Sequence, residues 1–136
     1  MRLFLDTNVI LDLLARRKPF FDSIAKIATL ADHRKLDLVA SPLSITTINY
    51  ILSRSEPKDV VIEKLRKFHI ICEMSVLDGD VMDKALNAGF PDFEDAVQYF
   101  SALSADCHMI ITRNGKDFKK SELPFMTADA FLGTLR

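Results

Sequence analysis

Four aspartates, Asp6, Asp92, Asp95 and Asp117, carry the chemistry that this sequence offers. Asp6 follows the apolar run Leu3-Phe4-Leu5 and precedes Thr7-Asn8 and a new apolar-periodic stretch. That context predicts a carboxylate at the carboxyl end of a buried strand, where crossovers in a parallel sheet leave a crevice for ligands. Asp92 and Asp95 lie in Asp92-Phe93-Glu94-Asp95-Ala96, the predicted first turn of a helix. Their spacing of three sets them on one face, while Glu94 points elsewhere and is not expected to converge with them. Asp117 ends Thr112-Arg113-Asn114-Gly115-Lys116-Asp117, after a further apolar run, and brings Thr112 and Asn114 towards the same sheet edge.

Each aspartate has an ordinary explanation when taken singly. A carboxylate before or within a first helical turn caps the helix and complements its dipole by ~0.3–1 kcal/mol. Three carboxyl-bearing segments at one edge are harder to explain in that way. Carboxylates a few ångströms apart repel and raise one another's pKa, so a cluster is tolerated mainly when a divalent cation neutralises it. Oxygen donors without a neighbouring His or Cys favour Mg²⁺ or Mn²⁺ over Zn²⁺. A hard cation in an open carboxylate site suits phosphoryl chemistry, because it activates water and stabilises a departing oxygen.

The convergence requires strands one and four to be neighbours at the switch point of a doubly wound sheet. The elements fit that requirement. Strands are predicted at residues 2–5, 37–41, 69–74, around Met109-Ile110-Ile111, and at 125–127. Helices are predicted at 9–15, 20–34, 42–52, from Glu56-Pro57 to Phe68, at 78–88, 92–105 and 128–135. Helical segments between most of the strands imply right-handed crossovers. The fold class is therefore α/β, a three-layer α/β/α sandwich with a parallel sheet of about five strands, in one domain covering residues 1–136.

Composition narrows the function. The chain has 136 residues, is 49% hydrophobic and has a net charge of −1, which excludes nucleic-acid binding by bulk positive charge but not by a metal and local cations. Cys72 and Cys107 lack the short spacing of a zinc or redox motif and read as reduced core residues. No leader or membrane-length apolar run is apparent, so a cytoplasmic location is expected. His33, His69 and His108 lie at element ends without a nucleophile partner and read as structural or solvated.

Leu5-Asp6-Thr7-Asn8-Val9-Ile10, Asp92-Phe93-Glu94-Asp95-Ala96, and Ile111-Thr112-Arg113-Asn114 with Asp117-Phe118 resemble the PIN domain, the fold of VapC-type toxins of bacterial toxin–antitoxin pairs. The resemblance runs from Leu3 to the last helix. It implies a metal-dependent endoribonuclease acting on RNA with Mg²⁺ or Mn²⁺, often a homodimer and often inhibited by a small antitoxin. Carried across, Asp6, Asp95 and Asp117 become metal-binding catalytic residues and Asp92 a further acidic metal candidate. Thr112 and Asn114 become supporting polar groups, and Asn8 fixes the loop behind Asp6. PIN nucleases usually have a glutamate on the helix after the second strand. The run Ser44-Ile45-Thr46-Thr47-Ile48-Asn49-Tyr50 has none, and Asn49 is expected in its place, as in a PIN subgroup lacking that glutamate.

Arg113 and Lys116, with Lys119 and Lys120, flank the proposed site, where they are positioned to hold RNA phosphates. Two other readings compete with the nuclease. A catalytically weakened PIN-like module that binds RNA or protein is suggested by Asn49. A phosphatase of the haloacid-dehalogenase type also starts from an aspartate after strand one, but needs a second aspartate where this chain has Asn8.

Overall fold

The structure, a computed structural model, describes residues 1–135. Its centre is a five-stranded, all-parallel sheet in the order β3-β2-β1-β4-β5, with β1 (Arg2–Leu5), β2 (Asp37–Ala40), β3 (Cys72–Met74), β4 (Met109–Ile111) and β5 (Phe125–Met126). The chain builds outward from β1 through β2 to β3, then returns to lay β4 on the other side of β1. The reversal between β1 and β4 opens the crevice expected at a switch point.

Strand parity explains the two faces. Leu3 and Leu5 of β1, Leu38 and Ala40 of β2 and Ile111 of β4 belong to one apolar cluster. Against it pack α1 (Thr7–Leu14), α2 (Phe21–Asp32), α3 (Pro42–Leu52), α4 (Lys58–Ile71) and α7 (Ala128–Gly133). The alternate residues Phe4, Val39 and Ile110 meet Tyr99 and Ala102 of α6 (Phe93–Ser104) on the opposite face. Helix α5 (Gly79–Asn87) packs onto α6 through Val81 and Ala85 against Ala96 and Val97. Alternation of side chains across a strand thus divides the core between two helical layers.

The third strand is shorter than the sequence suggests. Helix α4 continues through His69-Ile70-Ile71, and β3 starts only at Cys72. Val61, Leu65, Phe68 and Cys72 keep a three-to-four-residue spacing, so the buried helical stripe outweighs the β-preference of two consecutive isoleucines. His69 Nδ1 lies 3.1 Å from the Cys72 carbonyl oxygen, and His108 Nδ1 accepts the Arg2 amide at 3.0 Å, consistent with structural roles for both rings. Cys72 and Cys107 are free and buried, and burial pushes both thiols up, Cys107 to about 11. Among the described residues, no helix is long and apolar enough to cross a membrane.

Candidate active site

Asp6 extends the ladder one step beyond β1, its amide donating to the Ile111 carbonyl at 3.0 Å. It lies two residues after Phe4, so strand parity aims its side chain towards α6. Thr112, two residues after Ile110, projects to the same side. The consequence is a direct contact: Thr112 Oγ1 donates to Asp6 Oδ2 at 2.8 Å, while Gln98 Nε2 of α6 donates to Asp6 Oδ1 at 3.1 Å. Both oxygens of a carboxylate that is only 4% exposed are thereby oriented.

Helix α6 contributes its opening turn. Asp92 is the N-cap, its Oδ1 accepting the Asp95 amide at 3.1 Å, as capping chemistry requires. Asp95 then faces Asp6. Asp117 enters from the 3-10 turn Gly115–Phe118, anchored by the fully buried Phe118 ring. A Cβ on Gly115 would lie 2.7 Å from the Phe125 ring, so glycine permits the turn to pack against β5. Asp6, Asp92, Asp95, Asp117, Asn8 and Asn114 all line one pocket of about 220 Å³.

The electrostatics follow from this arrangement. Burial pushes the Asp95 carboxyl up to about 7, assisted by the charges of Asp6, Asp92, Asp117 and Glu94. Asp6 is also raised, chiefly by burial; the hydrogen bonds from Thr112 and Gln98 oppose the shift, and Asp117 adds to it. Among the described residues, none of these five carboxylates forms an ion pair. The donor set suits a hard divalent cation, being all oxygen with uncompensated negative charge. Among the described residues, however, no three acidic, His or Cys side chains form a ready-made ligand cage.

Several sequence expectations require correction. Glu94 converges on the pocket, where its Oε1 accepts from Thr7 Oγ1 at 3.0 Å. Asp92 stands outside the helix as its cap, so helical spacing counted from it misjudged Glu94, whose longer side chain reaches across to the start of α1. Asn49 is absent from the pocket lining; α3 supplies Thr47 and Ile51 instead. Two residues along a helix turn about 200°, which carries Asn49 away from the face of Thr47. Its Oδ1 is buried without a hydrogen-bond partner among the described residues. Asn8 lies in the first turn of α1, and among the described residues its side chain makes no hydrogen bond to a loop behind Asp6; that bracing comes from Thr112 and Gln98.

Arg113 is also committed elsewhere. Its Nε and a terminal guanidinium nitrogen donate to Asp12 at 2.7 and 3.2 Å, and its guanidinium stacks 4.0 Å from the centre of the Phe20 ring. Asp12 is 1% exposed, so this pair fastens the segment after β4 onto α1 rather than presenting a cation to the pocket. Arg113→Met should lower unfolding free energy by about 3 kcal/mol in urea titration at neutral pH, because it strands a buried charge. Arg17, 3.9 Å from Asp12, keeps the loss at the lower end of the about 3–5 kcal/mol that breaking a buried pair can cost. An unchanged urea midpoint would show that Arg17 and water suffice. Lys116, by contrast, is exposed on the turn beside Asp117 and forms no ion pair among the described residues.

Sequence inspection also missed Gln98, Thr7 and Ser44. Thr7 Oγ1 lies 2.6 Å from Ser44 Oγ, tying α1 to α3 beneath the pocket. Gln98 had one available signal: it follows Asp95 by three residues on a helix whose other positions there are largely apolar.

Residues 2–116 match the family described as PIN domain. Ribonuclease VapC1 of Aquifex aeolicus (strain VF5) is 27% identical over 135 residues, covering 96% of this chain and 92% of that protein. Among solved structures, VapBC-1 from nontypeable Haemophilus influenzae aligns with a TM-score of 0.70 at 19% identity, over 95% of this chain and 99% of that one. VapBC2 from Rickettsia felis, bound to a DNA fragment from its promoter, aligns with a TM-score of 0.69 at 17% identity, over 92% and 97% of the two chains. At these identities the structural likeness is one of fold.

Proposed function

We propose that this chain, which belongs to the PIN domain family, is an endoribonuclease that hydrolyses RNA phosphodiester bonds with the aid of Mg²⁺ or Mn²⁺. One observation carries the reading: separate segments of the fold bring Asp6, Asp95 and Asp117 to a single pocket whose negative charge, among the described residues, has no cationic side chain paired to it. The similarity to a ribonuclease along almost the full length of both chains supports it.

Asp6, Asp95 and Asp117 would hold the cation, with Asp92 at the rim. A bound divalent ion would supply an activated water and charge stabilisation at the departing oxygen. Thr112 and Gln98 keep Asp6 in one orientation, limiting the reorganisation needed during the reaction. Lys116, exposed on the turn beside Asp117, would meet an RNA phosphate. In this reading the chain works as one cytoplasmic domain over residues 1–136, paired with a second copy and restrained by a small antitoxin. The VapBC relatives support the antitoxin element by fold and by name.

A second reading, a PIN domain that binds RNA or protein without cutting, is favoured by α3, which gives the pocket Thr47 rather than a carboxylate. The two separate on a panel of structured and single-stranded RNAs incubated with Mg²⁺, Mn²⁺ or chelator, beside Asp95→Asn. Cleavage that needs the metal and disappears in the variant is expected. Stable RNA binding by folded protein with no product under any condition would favour the binding module.

A further inference from the structure

We propose that Gln98 is a positioning residue that sets the separation of Asp6 and Asp95 for a shared divalent cation. This inference rests on the metal-dependent reading above and deepens it. Gln98 is 1% exposed and uses both ends of its amide. Its Nε2 donates to Asp6 Oδ1 at 3.1 Å and to Asp95 Oδ1 at 3.4 Å, while its Oε1 accepts the Thr7 backbone amide at 3.1 Å.

Chemistry fixes the orientation of that amide. Turned over, its oxygen would face two carboxylates and its NH₂ would face the Thr7 N–H, making every contact one between like partners. The observed orientation satisfies them all. Thr7 begins α1, so its N–H is one of the amides that a helix leaves without an internal partner. One side chain from α6 therefore grips the backbone immediately after Asp6, the Asp6 carboxylate, and the Asp95 carboxylate one turn earlier on its own helix.

The residue type matters as much as its placement. Asp6 and Asp95 repel one another, and each lacks an ion-paired cation among the described residues. A lysine between them would hold them together but neutralise charge that a metal needs. A neutral amide donates to both and leaves that charge available. An apolar residue would fill the volume without directing either carboxylate, and the opposing pair would be free to separate.

The test is Mn²⁺ binding to the metal-free full chain, followed by the loss of the free-ion electron paramagnetic resonance signal, with thermal unfolding measured in parallel. Gln98→Leu keeps much of the bulk and removes the donors. Gln98→Asn keeps the amide but is one methylene too short to span both carboxylates. Each should weaken Mn²⁺ binding about 10–100-fold, the effect of removing an outer partner that orients metal ligands. A role confined to packing would lower the unfolding temperature while leaving the folded protein's Mn²⁺ affinity within twofold of wild type, and that result would overturn the proposal. If Gln98→Leu does not fold, the Asn variant decides by the same criterion. Wild-type protein that binds no Mn²⁺ would overturn the metal-dependent reading itself and this inference with it. Wild-type binding lost in Asp95→Asn but undiminished in the Gln98 variants would overturn the inference alone.

Discussion

Asp6→Asn should lower kcat/KM for RNA cleavage by more than about 100-fold, since even outer partners of metal ligands are worth about 10–100-fold. The expected loss comes from charge rather than shape. Asp6 is buried and receives one hydrogen bond on each oxygen, from Gln98 and Thr112. Asparagine fits the same space but offers a single oxygen and no negative charge. Its NH₂ can donate to the Thr112 hydroxyl, which turns to accept and gives up its own donated bond, while Gln98 keeps the remaining oxygen, at a cost of about 1 kcal/mol. Removing a poorly solvated carboxylate works in the opposite direction, because burial already raises the Asp6 pKa. The variant should therefore unfold near the wild-type temperature while losing cleavage. Single-turnover cleavage of the most sensitive RNA in the panel, together with thermal unfolding, separates the two effects. Undiminished cutting by the variant would assign the activity to something other than this pocket.

The architecture was legible because it rests on strong periodic signals. Leu3 and Leu5 alternate with Phe4, and the observed sheet sends them to opposite helical layers. Helical segments between most of the strands left a parallel sheet as the economical arrangement, and β1 and β4 are neighbours as that reading required. The same parity carries Asp6 and Thr112 to one side, which makes their meeting intelligible from sequence once the register is known.

Side-chain direction at helix ends was less legible. Asp92 could be read as part of a helical face or as a cap, and its capping bond to the Asp95 amide changes where the turn begins. That difference brings Glu94 into the pocket. Asn49 looked chemically suitable for the missing glutamate, but its position on α3 turns it away, and only the rotation of that helix reveals Thr47 as the pocket residue. The ties of Gln98 to Asp6 and of Arg113 to Asp12 join residues about a hundred positions apart. Neither local propensity nor spacing encodes such pairings.

Lowering the pH from about 8 to about 5 should weaken Mn²⁺ binding on the order of 100-fold, because a ligating carboxylate must first lose its proton. The relevant group is Asp95, pushed up to about 7 mainly by burial and further by Asp6, Asp92, Asp117 and Glu94. Near the upper pH it is largely ionised; near the lower one only about a hundredth is. Metal-free stability should show the opposite trend. An unfolded aspartate titrates near ~3.9, so between about pH 4 and pH 7 the folded chain holds the proton more tightly. Asp95 therefore favours folding at the acidic end of that window, and this contribution is lost as pH rises through about 7. Asp95→Asn removes the titrating group and should flatten its part of the metal-free stability profile while abolishing strong Mn²⁺ binding. Unfolding temperatures across the window, with and without saturating Mn²⁺, measure both trends on one protein. Metal binding that stays constant down to about pH 5 would show that Asp95 is ionised well below 7 or lies outside the cation's ligand set.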